Sequence, residues 1–148
     1  MSNTIVVCER YDKETEELIS KDTVEFLKTP LTHFKEKKNE YVFLQSEGLS
    51  EIKVDGLVFE YDEVFEVYSA MFGLSIQKKF GPAIKTYLNE HYNEEKMNYS
   101  IMFSGDEGLW EINLPLDYVK GFNVEFTIEE AFQFLQTFIA SLVEATEK

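Results

Sequence analysis

Apolar residues near the C-terminus recur at intervals of three and four. Ile128, Ala131, Phe132, Leu135, Phe138, Ile139, Leu142 and Val143 share one side of a helix predicted over 127–145, with Phe134 beside them. Thr127 and Glu130 stand three apart at its start, the spacing at which each side chain caps the other's exposed amide. Gln133, Gln136, Thr137, Ser141 and Glu144 form the opposite stripe and break the apolar run well short of a membrane span. A face this broad serves either as the spine of the core or as half of a dimer contact. A second helix is predicted over 82–95. Gly81-Pro82 opens it, with proline where the missing amide is harmless, and Ala83, Ile84, Tyr87, Leu88, His91 and Tyr92 make one buried stripe. A third helix is predicted over about 22–38 from Val24, Phe26, Leu27, Leu31 and Phe34, with Pro30 interrupting or opening it. Lys35, Lys37 and Lys38 suit the end of that helix, where cations oppose the macrodipole.

Between the helices the period shortens to two. Tyr41–Gln45 is an apolar run of strand length bounded by Ser46-Glu47-Gly48. Ile52–Val54 and Leu57–Tyr61 flank Asp55-Gly56, a dipeptide suited to a type I′ hairpin turn. Phe65, Val67 and Ser69 alternate with Glu66, Tyr68 and Ala70 as far as Gly73, a further strand. A helix opening at Asp62 competes with it, because Val64, Tyr68, Met71 and Phe72 also fit a helical face. Tyr99–Phe103 and Leu109–Leu114 form a second hairpin around Gly105-Asp106-Glu107-Gly108, ended by Pro115. Residues 116–126 read as an irregular connector with a turn at Gly121. Thr4–Cys8 is a short β-branched run suited to an edge strand, and Tyr11–Glu17 reads as a turn or the start of a helix. These elements predict a single α+β domain over residues 1–148. Its mostly antiparallel sheet has about five strands, packed with two or three helices, the last of them long.

Composition narrows the function. The 148 residues are 44% hydrophobic and 15% aromatic, which excludes a disordered or low-complexity chain. A chain of this length buries roughly 68–70% of its unfolded surface and needs no covalent staple. Fourteen basic and 28 acidic residues give a formal charge of −14, so neither a nucleic-acid backbone nor an anionic membrane is an expected partner. The net charge is most negative late, because bases are scarce there: residues 97–148 hold nine acids against Lys120 and Lys148. That asymmetry serves solubility or recruits a basic partner. Cys8 is the lone cysteine, and Met1–Arg10 lack the basic and long apolar regions of a signal peptide, so a cytoplasmic protein is expected.

Candidate chemistry is sparse. The glycines never produce a phosphate loop or a dinucleotide fingerprint, and the acids inside Gly105–Gly108 would repel phosphate. Cys8 has only His33 and His91 as potential bases and reads as a small buried hydrophobe. His91 and Glu95 share a helical face and could supply two metal ligands, but the remaining ligands are lacking. His91 therefore reads as a polar-edge residue, salt-bridged or solvated, and Asp106 and Glu107 read as a solvated hairpin tip. No catalytic, cofactor-binding or metal-ligating residue is assigned, and no cofactor is expected. The candidate interaction surface is Asp106, Glu107, Trp110, Tyr118, Phe122 and Phe138.

The predicted order is a helix, three strands, a helix, two strands and a terminal helix. It resembles the type III secretion chaperone fold and the related YbjN-like proteins. The resemblance extends to Asn89 and Asn93 near a helix end, the acidic glycine turn and Leu114-Pro115-Leu116-Asp117 before the capped last helix. It implies a small, acidic, cofactor-free homodimer that binds polypeptide segments. Residues 1–21 have no counterpart in it, and no client-binding residue carries over. The expectation is a non-catalytic protein-binding module, chaperone-like or an adaptor. An acidic inhibitor or immunity-type protein capping a basic enzyme is one alternative; a small-ligand protein or enzyme with an aromatic pocket is another.

Overall fold

A computed structural model describes residues 5–22, 24–93 and 98–147. The chain runs through β1 (Ile5–Asp12), β2 (Leu18–Lys21), α1 (Val24–Leu27), α2 (His33–Glu36), β3 (Glu40–Ser46), α3 (Glu47–Glu51), β4 (Val54–Asp62) and β5 (Val67–Leu74). It continues through α4 (Gly81–Glu90), β6 (Ser100–Ser104), β7 (Leu109–Pro115) and α5 (Ile128–Thr146). The strands make one antiparallel sheet in the order β2-β1-β3-β4-β5-β7-β6. The fold is α+β with a long C-terminal helix, as the pattern predicts, but among the described residues the sheet has seven strands rather than about five.

The additional strands come from the first 21 residues. β1 extends through Arg10 to Asp12 and is not an edge strand, since β2 pairs outside it. The segment predicted as a turn or helix start is the end of β1 and the β1–β2 turn, where Asp12 accepts hydrogen bonds from the amides of Glu14 and Thr15. Alternation fails to mark this strand because Arg10 points to the core side, in register with Val42, and is satisfied there by carboxylates. The predicted 22–38 helix is two single turns. Pro30 separates them by bridging to Thr127, with Leu31 N–H donating to Phe126 O at 2.9 Å.

Asp55-Gly56 does not make a turn. Both residues lie inside β4, and Gly56 is not in the left-handed region; the left-handed residue nearby is Lys53 (φ 67°), between α3 and β4. A Cβ on Gly56 would sit 2.7 Å from the Phe43 ring, so glycine is required by close side-chain approach rather than by turn geometry. The chain reverses instead at residues 63–66, where Asp62 accepts from the amides of Val64 and Phe65 and Glu66 takes φ 56°. The strand alternative thus holds over 67–74 and the competing helix from Asp62 does not form. α4 ends at Glu90 instead of 95, because Tyr92 bridges to Val119. Glu94 and Glu95, and with Glu95 the proposed His91 pair, lie outside the described residues.

One face of the sheet is the core. Register places Val42, Phe59, Ala70 and Leu114 in one row and Leu44, Leu57, Phe72 and Ile112 in the next. These pack with Ile84 and Leu88 of α4 and with Phe132, Leu135, Ile139 and Leu142 of α5, all at 0–1% exposure. Each such side chain contributes about 1.5–3 kcal/mol by leaving water. The α5 stripe is buried by its own chain and is the spine of the core. Its capping box forms as predicted: Thr127 Oγ1 accepts from Glu130 N at 3.1 Å and Glu130 Oε1 accepts from Thr127 N at 2.9 Å. No helix among the described residues is long and apolar enough to cross a membrane.

Candidate functional site

The opposite face of the sheet carries a second apolar surface. Register aligns Phe43, Val58, Met71 and Asn113 across β3, β4, β5 and β7, one residue out of phase with the core rows. None of the first three belongs to the core cluster, and all are half-buried. Together with Leu109 they floor a groove of about 540 Å³. Two glycines flatten that floor. The Phe43 ring lies over Gly56, and a Cβ on Gly73 would stand 3.3 Å from the Leu109 methyls. A second trough of about 300 Å³, bordered by Tyr41, Val58 and Met71, adjoins it.

The walls of the groove are acidic. Asp55, Glu107 and Glu111 line it, all exposed, and among the described residues no lysine, arginine or histidine does. The adjoining trough adds Glu16 and Glu60, and its one base, Lys13, is engaged by Tyr61 O at 2.6 Å and Glu60 at 3.6 Å. Asn113 stands between floor and wall, in register with Met71 and Ser100 and two residues from Glu111 on the same side of β7. Its Oδ1 is cut off from solvent and has no hydrogen-bond partner among the described residues. A desolvated acceptor without a donor costs about 1–3 kcal/mol.

No family model, curated protein or solved structure matches the chain. Function has to be read from the geometry of the groove and of the remaining clusters.

The residues singled out from the sequence do not gather on one surface. Asp106 and Glu107 are exposed at the β6–β7 turn, and Glu107 alone of the six lines the groove. Trp110 is buried on the core side. Its indole lies where a Cβ on Gly81 would come within 2.7 Å, and its Nε1 donates to Gln77 O at 3.4 Å, so it is not available as a contact surface. Phe138 is likewise buried, at 9% exposure, against Tyr87 and His91. Tyr118 meets Tyr92, and Phe122 meets Tyr68, Phe126 and Phe134, in a half-buried aromatic cluster under α5. Changing Asp106 and Glu107 together to Asn is expected to move stability by less than about 0.5 kcal/mol, because exposed turn residues bury nothing. Thermal unfolding checks this, and a larger loss would mean that the pair holds the turn.

Two titratable clusters lie elsewhere. Arg10 donates through Nε and Nη2 to Asp22 at 2.6 and 3.2 Å and through Nη1 to Glu40 at 3.2 Å, while His33 Nε2 lies 2.9 Å from the same Glu40 oxygen. These contacts tie the first hairpin to α2 and β3. Neighbouring Cys8 is a buried thiol, pushed up to about 11 by desolvation and by Asp22, so it stays protonated near neutrality. His91 stacks on Tyr87 at 4.1 Å, its Nδ1 2.8 Å from Tyr87 O. Among the described residues no group of three or more His, Cys, Asp or Glu is placed to hold a metal ion.

Sequence reasoning passed over Phe43, Val58, Met71 and Asn113. A signal was present: a strand with one wet face alternates apolar and polar residues, whereas Tyr41–Leu44 is apolar at every position. Such a run needs cover on both sides, and the helices supply it on one.

Proposed function

We propose that this chain is a protein-binding module that works without catalysis, holding a segment of another protein against the open face of its sheet. The supporting observation is the row Phe43, Val58 and Met71 with Leu109, apolar and half-buried outside the core cluster. Solvated sheet faces ordinarily carry polar side chains, and a contiguous apolar patch on one marks an interaction site. The acids around it keep the empty groove soluble. A chaperone-like protein or an adaptor needs this combination: affinity from an apolar floor and orientation from a charged rim.

The test is a selection of random peptides displayed on phage with the wild-type chain as bait, each enriched peptide then being measured on the wild type and on Met71→Asp. A carboxylate at position 71 puts charge in the middle of the floor without touching the core rows. Enriched peptides should bind the wild type and lose at least about tenfold on Met71→Asp, equivalent to about 1.4 kcal/mol. Peptides that bind both chains equally would sink the assignment of this face.

A further inference from the structure

Granted that the open face is the binding surface, we infer that its occupant is a cationic, apolar polypeptide segment of another protein. Two features of the groove point to it. The floor of Phe43, Val58 and Met71 selects apolar side chains but is blind to charge. The lining carboxylates Asp55, Glu107 and Glu111 face no basic residue across the groove among the described residues, so they favour a cation and repel an anion.

Position joins the two features. Glu111 and Asn113 are two apart on β7 and point to the same side of the sheet, about 7 Å from each other along the strand. A lysine ammonium or arginine guanidinium drawn in by Glu111 therefore lies at the border of the apolar floor. A second copy of this chain is a poor occupant. It carries the same formal charge of −14 and would set acid against acid around the groove.

Three labelled synthetic peptides of equal length and equal leucine content test the inference, their other positions being all Lys, all Gln or all Glu. Fluorescence anisotropy should show the Lys peptide binding at least about tenfold tighter than the Gln peptide, with weakening as salt is raised, and no binding of the Glu peptide. Net charge alone is separated from the groove by two double variants with the same change in charge. Glu107→Lys with Glu111→Lys should lose at least about tenfold more affinity for the Lys peptide than Glu51→Lys with Glu125→Lys. Equal binding of the Lys and Gln peptides, or equal loss in the two double variants, overturns the inference. If that occurs while Met71→Asp abolishes binding of every peptide, the groove stands and only the cationic occupant falls. If Met71→Asn, which removes the apolar side chain without adding charge, leaves the Lys peptide bound as before, the groove falls as well. Self-association of the wild type in sedimentation that Met71→Asp removes would make a second copy the occupant, and would equally overturn it.

Discussion

Phe132→Ala is expected to destabilise the protein by about 3–5 kcal/mol, the range for truncating a fully buried aromatic residue. The side chain has 0% exposure and lies on the α5 stripe between Ile128 and Leu135, which are themselves fully buried against the sheet. Neither a helix nor a strand can close over a phenyl-sized void without moving its neighbours, so the cavity persists and adds to the lost transfer energy. A domain of this size has only about 5–15 kcal/mol of stability, so the variant should lose a large fraction of it. At about 2–4 °C per kcal/mol, the melting temperature should fall by on the order of 6–20 °C. Half-buried Phe134, on the same helix, serves as the control and should lose less on the same substitution. Chemical denaturation with an unchanged slope measures both. A loss under about 1 kcal/mol for Phe132→Ala would contradict the packing of α5 on the sheet.

The second large effect is expected at Arg10. Its guanidinium bonds Asp22 at 2.6 Å and Glu40 at 3.2 Å and lies 4.5 Å over the Phe26 ring. The side chains of Asp22 and Glu40 are 10% and 11% exposed, so removing the cation leaves two carboxylates with little water, held by Ser20 Oγ at 2.8 Å and His33 Nε2 at 2.9 Å. Breaking a buried pair by deleting one partner costs about 3–5 kcal/mol. Arg10 is itself 19% exposed, and solvent entering the gap should bring the loss in Arg10→Ala down to about 2–4 kcal/mol. Charge and packing separate in a second variant. Arg10→Met keeps the aliphatic stem without the cation and should still be unstable, while adding Asp22→Asn should recover part of the loss. If Arg10→Ala falls within about 1 kcal/mol of wild type, the cluster is solvated and does not hold the first hairpin.

The two substitutions probe features of different legibility. Phe132 was readable because everything that places it is local: a period of 3.6, a capping box three residues apart and a stripe wide enough to need a sheet. The β6–β7 hairpin was readable for the same reason, since Gly108 at φ 68° supplies the left-handed turn that its sequence advertises. Arg10 was not. A strand that places a guanidinium toward the core breaks the apolar alternation by which strands are found, and its compensation comes from residues 12 and 30 positions away. Asp55-Gly56 misled in the opposite sense. Its dipeptide signature is that of a turn, but the glycine is spent on a neighbouring strand's phenyl ring.

The candidate site lay further out of reach for a similar reason. Its floor takes one residue each from β3, β4 and β5 and a leucine from β7, and no two adjoin in sequence. Trp110 and Phe138, the most conspicuous side chains on paper, are consumed by the core. From its sequence alone this protein is determined to be an acidic α+β chain with two helices, a C-terminal hairpin and an apolar helical spine, because capping, periodicity and turn chemistry act over a few residues. Only the tertiary structure decides that the sheet has seven strands, that one face is buried and that the other gathers apolar side chains within an acid rim. Those outcomes depend on strand register, which couples residues tens of positions apart and leaves no mark within any one segment.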